Sequence, residues 1–84
     1  MMPAGTWVDL LDRARTLYAA PNRLDPRAAV DTLALEYPEQ LRSLVEAFAP
    51  YSDHTCTIGL MGLMRAKVID FRWVSGVVAE LRKL

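Results

Sequence analysis

The sequence predicts an all-α fold, a small bundle of four to five short helices, on three observations. Four sets of apolar residues recur at the i, i+3, i+4, i+7 spacing that lines one face of a 3.6-residue helix: Trp7, Leu10, Leu11, Ala14, Leu17 and Tyr18; Val30, Leu33, Ala34 and Tyr37; Leu41, Leu44, Val45 and Phe48; and Val74, Val77, Val78 and Leu81. Prolines at 21, 26, 38 and 50 fall between or at the starts of these sets. A chain of 84 residues also holds apolar material for only one core, so 1–84 is expected to form a single helical domain.

The first helix should run from about Trp7 to Ala20. Thr6 and Asp9 form a variant capping box at its start, and Pro21 with Asn22 ends it. Asp25 suits the N-cap of the second helix, and Pro26 its first position, where a missing N–H costs nothing. That helix should span Pro26 to Glu36. Pro38 pushes Tyr37 away from helical geometry but can open a helix itself, so the second and third segments form either two rods or one bent rod. The third ends near Ala49, ahead of Pro50, and Ser52 or Asp53 can cap the next apolar segment.

Between Thr55 and Trp73 two patterns compete. Ile58, Leu60, Met61, Leu63, Met64 and Val68 describe a helix apolar nearly all round, as a central buried helix would be. Gly59 and Gly62 each disfavour helix by about 1 kcal/mol relative to Ala but admit a close neighbour. Ile69 to Trp73 alternates apolar and polar residues, so a minor strand contribution within 55–73 is the alternative. Asp70 is the expected N-cap of a last helix from Phe71 to about Lys83.

Apolar residues plus glycine make up about 54% of the chain, against about 45–50% for ordinary globular proteins. A domain this small should leave about 5,000 Å² accessible, so part of the apolar excess is expected at the surface, as an association patch. The candidate interface residues are Met61, Met64, Phe71 and Trp73. The expected partner is another protein or a second copy of the chain, in a homodimer.

Net charge is zero, which excludes a global pull toward nucleic acid or anionic membrane. Residues 1–64 carry net −3, however, and residues 65–84 net +3. The basic end either complements the acidic helices or offers Arg65, Lys67, Arg72, Arg82 and Lys83 to nucleic acid.

No catalytic, cofactor-binding or metal-ligating set emerges. Asp53, His54 and Cys56 are the nearest approach to a reactive cluster, yet a nucleophilic site also needs an oriented base and oxyanion donors. One His, one Cys and one Asp fall short of a closed metal set. Cys56 is expected to be a small buried hydrophobe and His54 a solvated loop residue. Asp9 and Asp12 belong to a solvated face beside Arg13 and Arg15. The glycine spacing matches neither a dinucleotide-binding nor a phosphate-binding loop. One cysteine excludes an internal disulfide, no apolar leader precedes the first helix, and the longest apolar run, 58–64, is too short for a membrane span. A cytoplasmic protein is expected.

The segment Leu63 to Leu84 resembles a helix-turn-helix, with Ile69, the polar Asp70 and then Val74, Val78 and Leu81 as a buried stripe. The resemblance implies a small dimeric DNA-binding regulator that places the five basic residues on phosphates. Val68 stands where such turns favour glycine, and Lys67 where an apolar residue would pack. The outer face of the second helix presents mainly Arg72, Ser75, Ala79 and Arg82 for base edges. The first expectation from the residues is a non-enzymatic helical interaction module, whether adaptor, inhibitor or assembly subunit. The DNA-binding regulator is the alternative.

Overall fold

The computed structural model describes residues 7–19, 21–65 and 70–84. It holds five helices: α1 (Val8–Tyr18), α2 (Pro26–Glu36), α3 (Pro38–Phe48), α4 (Asp53–Met64) and α5 (Phe71–Leu81). Among the described residues there is no strand. The segment that could have been a hairpin is helical through Met64 and again from Phe71; the 66–69 part of it lies outside the described residues.

Local chemistry accounts for most boundaries. The Asp25 carboxylate accepts from the Ala28 N–H at 2.8 Å, and Pro26 opens α2. Ser52 caps α4 by accepting from the Thr55 N–H at 3.2 Å, and Asp70 caps α5 through the Arg72 N–H at 2.9 Å. Pro38 forces Tyr37 to φ −135°, ψ 59°, so α2 and α3 are two rods. The break is nevertheless economical, because the Tyr37 N–H still donates to the Leu33 carbonyl and the Leu41 N–H to that of Tyr37.

At the start of α1 the expected capping box involves Thr6, which lies outside the described residues. Trp7 occupies the cap position and makes no side-chain cap bond. The Leu10 N–H, an orphan donor of the first turn, instead donates to Gln40 Oε1 at 3.3 Å, and Trp7 Nε1 donates to Ser43 Oγ at 3.2 Å. Gln40 of α3 thus does at long range what a local cap does elsewhere, and Ser43 fixes the Trp7 ring beside it.

One core unites the helices. α5 packs on α2 and α4, α1 on α2 and α4, and α3 on α2. Leu10, Leu33, Leu44, Met64, Val74 and Val78 are among the most deeply buried side chains. The central rod is α5, with Trp73, Val74, Val77, Val78 and Leu81 all buried. Gly76 lets it approach α2 closely, since a Cβ there would lie 2.7 Å from Pro26 Cγ. The apolar α4, expected to be the central helix, instead lies at the edge with one side in solvent. The accessible surface is 5366 Å².

Candidate interaction surface

α4 divides cleanly around its axis. Cys56, Thr57, Leu60 and Met64 are buried, with the Thr57 hydroxyl donating back to the Asp53 carbonyl at 2.8 Å. The opposite side presents Thr55, Ile58, Gly59, Gly62 and Arg65 to solvent. Ile58 is 52% exposed. His54, Ile58, Met61 and Arg65 follow one another at i+4, i+3 and i+4, which places them along one flank of this side. Phe71 of α5 joins that flank: its ring lies 6.0 Å from the His54 ring, and it remains 42% exposed.

Neither glycine of α4 makes room for a neighbour among the described residues. A Cβ built on Gly59 or Gly62 meets nothing within 4 Å, in contrast to Gly76. Gly62 and Leu63 also line a groove between α1 and α4, with Val8 and Leu11 as apolar walls and Asp12, Arg15 and Arg65 at the rim. Arg15 closes the end of α4 by donating from Nη1 to the Met64 carbonyl at 2.6 Å, and it pairs with Asp12. Arg65 then leaves the helix in the left-handed region at φ 53°.

Of the four candidate interface residues, two belong to the interior. Met64 is 1% exposed, inside the cluster formed by all five helices. Trp73 is 7% exposed; its Nε1 donates to the Leu24 carbonyl at 2.8 Å, and the Tyr18 ring meets it edge-on at 5.0 Å. These two side chains therefore tie α4 and α5 into the core and are not available to a partner, because the buried face of α5 is one position wider than the Val74 stripe indicated. Met61 is half-buried and Phe71 exposed. Ile58 is an exposed apolar side chain that the sequence pattern does not single out, since in a helix apolar all round no periodicity tells the outer side from the inner.

The basic candidates also separate. Arg65 and Arg72 are exposed, and Lys67 lies outside the described residues. Arg82 is committed internally: its Nε lies 2.6 Å from Asp53 Oδ1, and its Nη2 reaches the carbonyls of Phe48 and Tyr51 and the Cys56 sulfur. Lys83 pairs with Glu80 at 2.8 Å. Two of the five cations thus pair with acidic groups of the fold.

The Asp53, His54, Cys56 cluster turns in three directions. Asp53 faces Arg82, His54 faces Phe71, and the buried Cys56 thiol donates to the Phe48 carbonyl at 3.4 Å. Among the described residues no group of three or more His, Cys, Asp or Glu side chains is arranged to hold a metal ion. The Arg13 guanidinium is raised above its ordinary range by hydrogen bonding to Glu36 and by the charge of that carboxylate, so this bridge between α1 and α2 keeps its cation wherever the fold persists. No helix among the described residues is long and apolar enough to cross a membrane. No family model, curated protein or solved structure matches the chain.

Proposed function

We propose that the protein is a non-enzymatic, cytoplasmic helical interaction module that offers the outward side of α4, with Phe71 beside it, to an apolar helix of another chain. The observation that carries this reading is the pair Gly59 and Gly62. Each weakens α4 by about 1 kcal/mol relative to Ala, and neither relieves a contact among the described residues. A helix from outside could approach the α4 backbone closely at these positions. Ile58 and Phe71, each about half exposed, would then be covered, each contributing roughly 0.7–1.5 kcal/mol, and Met61 would complete the apolar strip. The reading is further supported by two hollows, one beside Phe48 and Leu81 and one beside Leu41 and Val45, that are walled mainly by apolar side chains.

The test is purification from the native host of the wild type beside Ile58→Glu, with protein and nucleic acid measured together. The expected result is a defined protein partner retained by the wild type and lost from the variant, at unchanged helicity. Recovery of nucleic acid in place of protein, released steeply by salt and lost on Arg65→Ala with Arg72→Ala, would replace this reading with that of a DNA-binding regulator.

A further inference from the structure

We infer that His54 makes binding at the α4 surface depend on pH, so that the partner proposed above is held while the imidazole is neutral and released when it is charged. The inference rests on that reading of α4 and adds a control to it. His54 is the only histidine of the chain. It lies in the first turn of α4, four residues before Ile58 on the same flank, and its ring centre is 6.0 Å from that of Phe71. All three side chains are exposed. The imidazole thus adjoins one of the two large apolar groups that a partner helix must cover and precedes the other by a single turn. A surface that covers Ile58 and Phe71 covers His54 as well.

That coverage treats the two forms of the ring differently. Neutral imidazole is a planar ring that can stay against Phe71, with one N–H and one acceptor nitrogen to satisfy. Imidazolium taken out of water loses hydration that an apolar helix cannot replace. A carboxylate placed beside the ring would offset the loss, but the acidic groups of the two helices that meet here are already engaged. Asp53 pairs with Arg82, the Asp70 carboxylate caps α5 through the Arg72 N–H, and Glu80 pairs with Lys83. On α1, which packs against α4, Asp12 pairs with Arg15. Arg65 and Arg72 are exposed, enter no ion pair among the described residues, and add only positive charge. The complex therefore holds fewer protons at this position than the free chain does. By linkage its affinity falls as the pH drops through the range in which imidazole takes up its proton.

The probe for the test is the protein that the immobilised full chain retains from a lysate of the native host at about pH 7.5 and that Ile58→Glu does not retain. Its dissociation constant is measured at about pH 7.5 and about pH 5.5, the lower value lying above the ordinary range of carboxylates. For the wild type the constant should rise about tenfold between the two, as expected when only the neutral ring is accommodated. His54→Leu should show the same constant at both values, and His54→Lys, charged throughout, should bind weakly at both. Circular dichroism should report equal helicity for all three chains at either pH. A wild-type constant that stays level or falls on acidification, a His54→Leu chain as pH-sensitive as the wild type, or a His54→Lys chain that binds as tightly as His54→Leu would overturn the inference while leaving the α4 reading in place. A lysate yielding no protein that Ile58→Glu loses would overturn both.

Discussion

Arg82 Nε lies 2.6 Å from Asp53 Oδ1 and joins the end of α5 to the start of α4. The same guanidinium reaches the carbonyls of Phe48 and Tyr51, at the end of α3 and in the turn after it. Carbonyls at a helix C-terminus lack intrahelical donors and carry partial negative charge. One cation therefore fastens three helices at the place where the chain turns between two of them.

Arg82→Met should consequently destabilise the fold while retaining most of the aliphatic packing. Charged hydrogen bonds contribute about 1.5–3 kcal/mol when enclosed. Arg82 is partly exposed, so a loss of about 1–2 kcal/mol is expected, or a melting point lower by roughly 4–8 °C per kcal/mol in a domain of this size. Lys83→Met, which removes only an exposed i, i+3 pair with Glu80, should change the melting point little. Equal effects of the two substitutions would show that the clasp contributes nothing particular.

The interior position of Trp73 makes Trp73→Ala a folding variant. It would remove a large buried ring, its edge-on contact with Tyr18 and the donor to the Leu24 carbonyl. Truncations of this kind cost about 3–5 kcal/mol, a large share of the about 5–15 kcal/mol that holds a typical domain together. Urea titration should show the midpoint falling sharply, and Trp73→Phe should recover much of it. A Trp73→Ala protein of near wild-type stability would place the indole at the surface.

The parts of the fold legible in the sequence are those governed by neighbours along the chain. Asp25 with Pro26, Pro38 and Asp70 define helix ends through bonds or clashes that span a few residues, and the observed ends agree with them. Orientation is less legible. α4 is apolar on every side, so only the arrival of α1 and α5 decides that Met64 is interior and Ile58 is not. Leu35 carries a readable signal, an apolar residue off the stripe of its own helix, and it is exposed as that phase implies. Arg82 looks like a surface cation along the chain because its partners Phe48, Tyr51 and Cys56 are 34, 31 and 26 positions away.

Arg65 carries a conformational penalty that a substitution can relieve. It is the one non-glycine residue with positive φ among those described, at the position after α4 where glycine is the usual choice. The left-handed region costs an ordinary L-residue about 1–2 kcal/mol, partly offset in glycine by the greater freedom of the unfolded chain. Arg65→Gly should therefore raise stability by about 0.5–1 kcal/mol, seen as a higher urea midpoint with an unchanged slope. A lower midpoint would mean that the Arg65 side chain contributes contacts exceeding its backbone strain.

The three helical glycines make opposite predictions under one substitution, and that contrast separates stability from recognition. Gly76→Ala would drive a methyl group to within 2.7 Å of the Pro26 ring, a rigid neighbour that can yield only if α2 and α5 move apart. Overpacking of this kind costs about 1–3 kcal/mol. The methyl groups of Gly59→Ala and Gly62→Ala meet nothing within 4 Å among the described residues, so each should stabilise α4 by up to about 1 kcal/mol and raise the melting point. If an outside helix approaches α4 at these glycines, the same two methyl groups must push it away, and partner retention should fall as thermal stability rises. Thermal melts and partner capture measured on the Gly59→Ala, Gly62→Ala double variant read both effects on one protein. A gain in stability with undiminished capture would remove the glycines from the recognition surface and leave Ile58 and Phe71 to account for it alone.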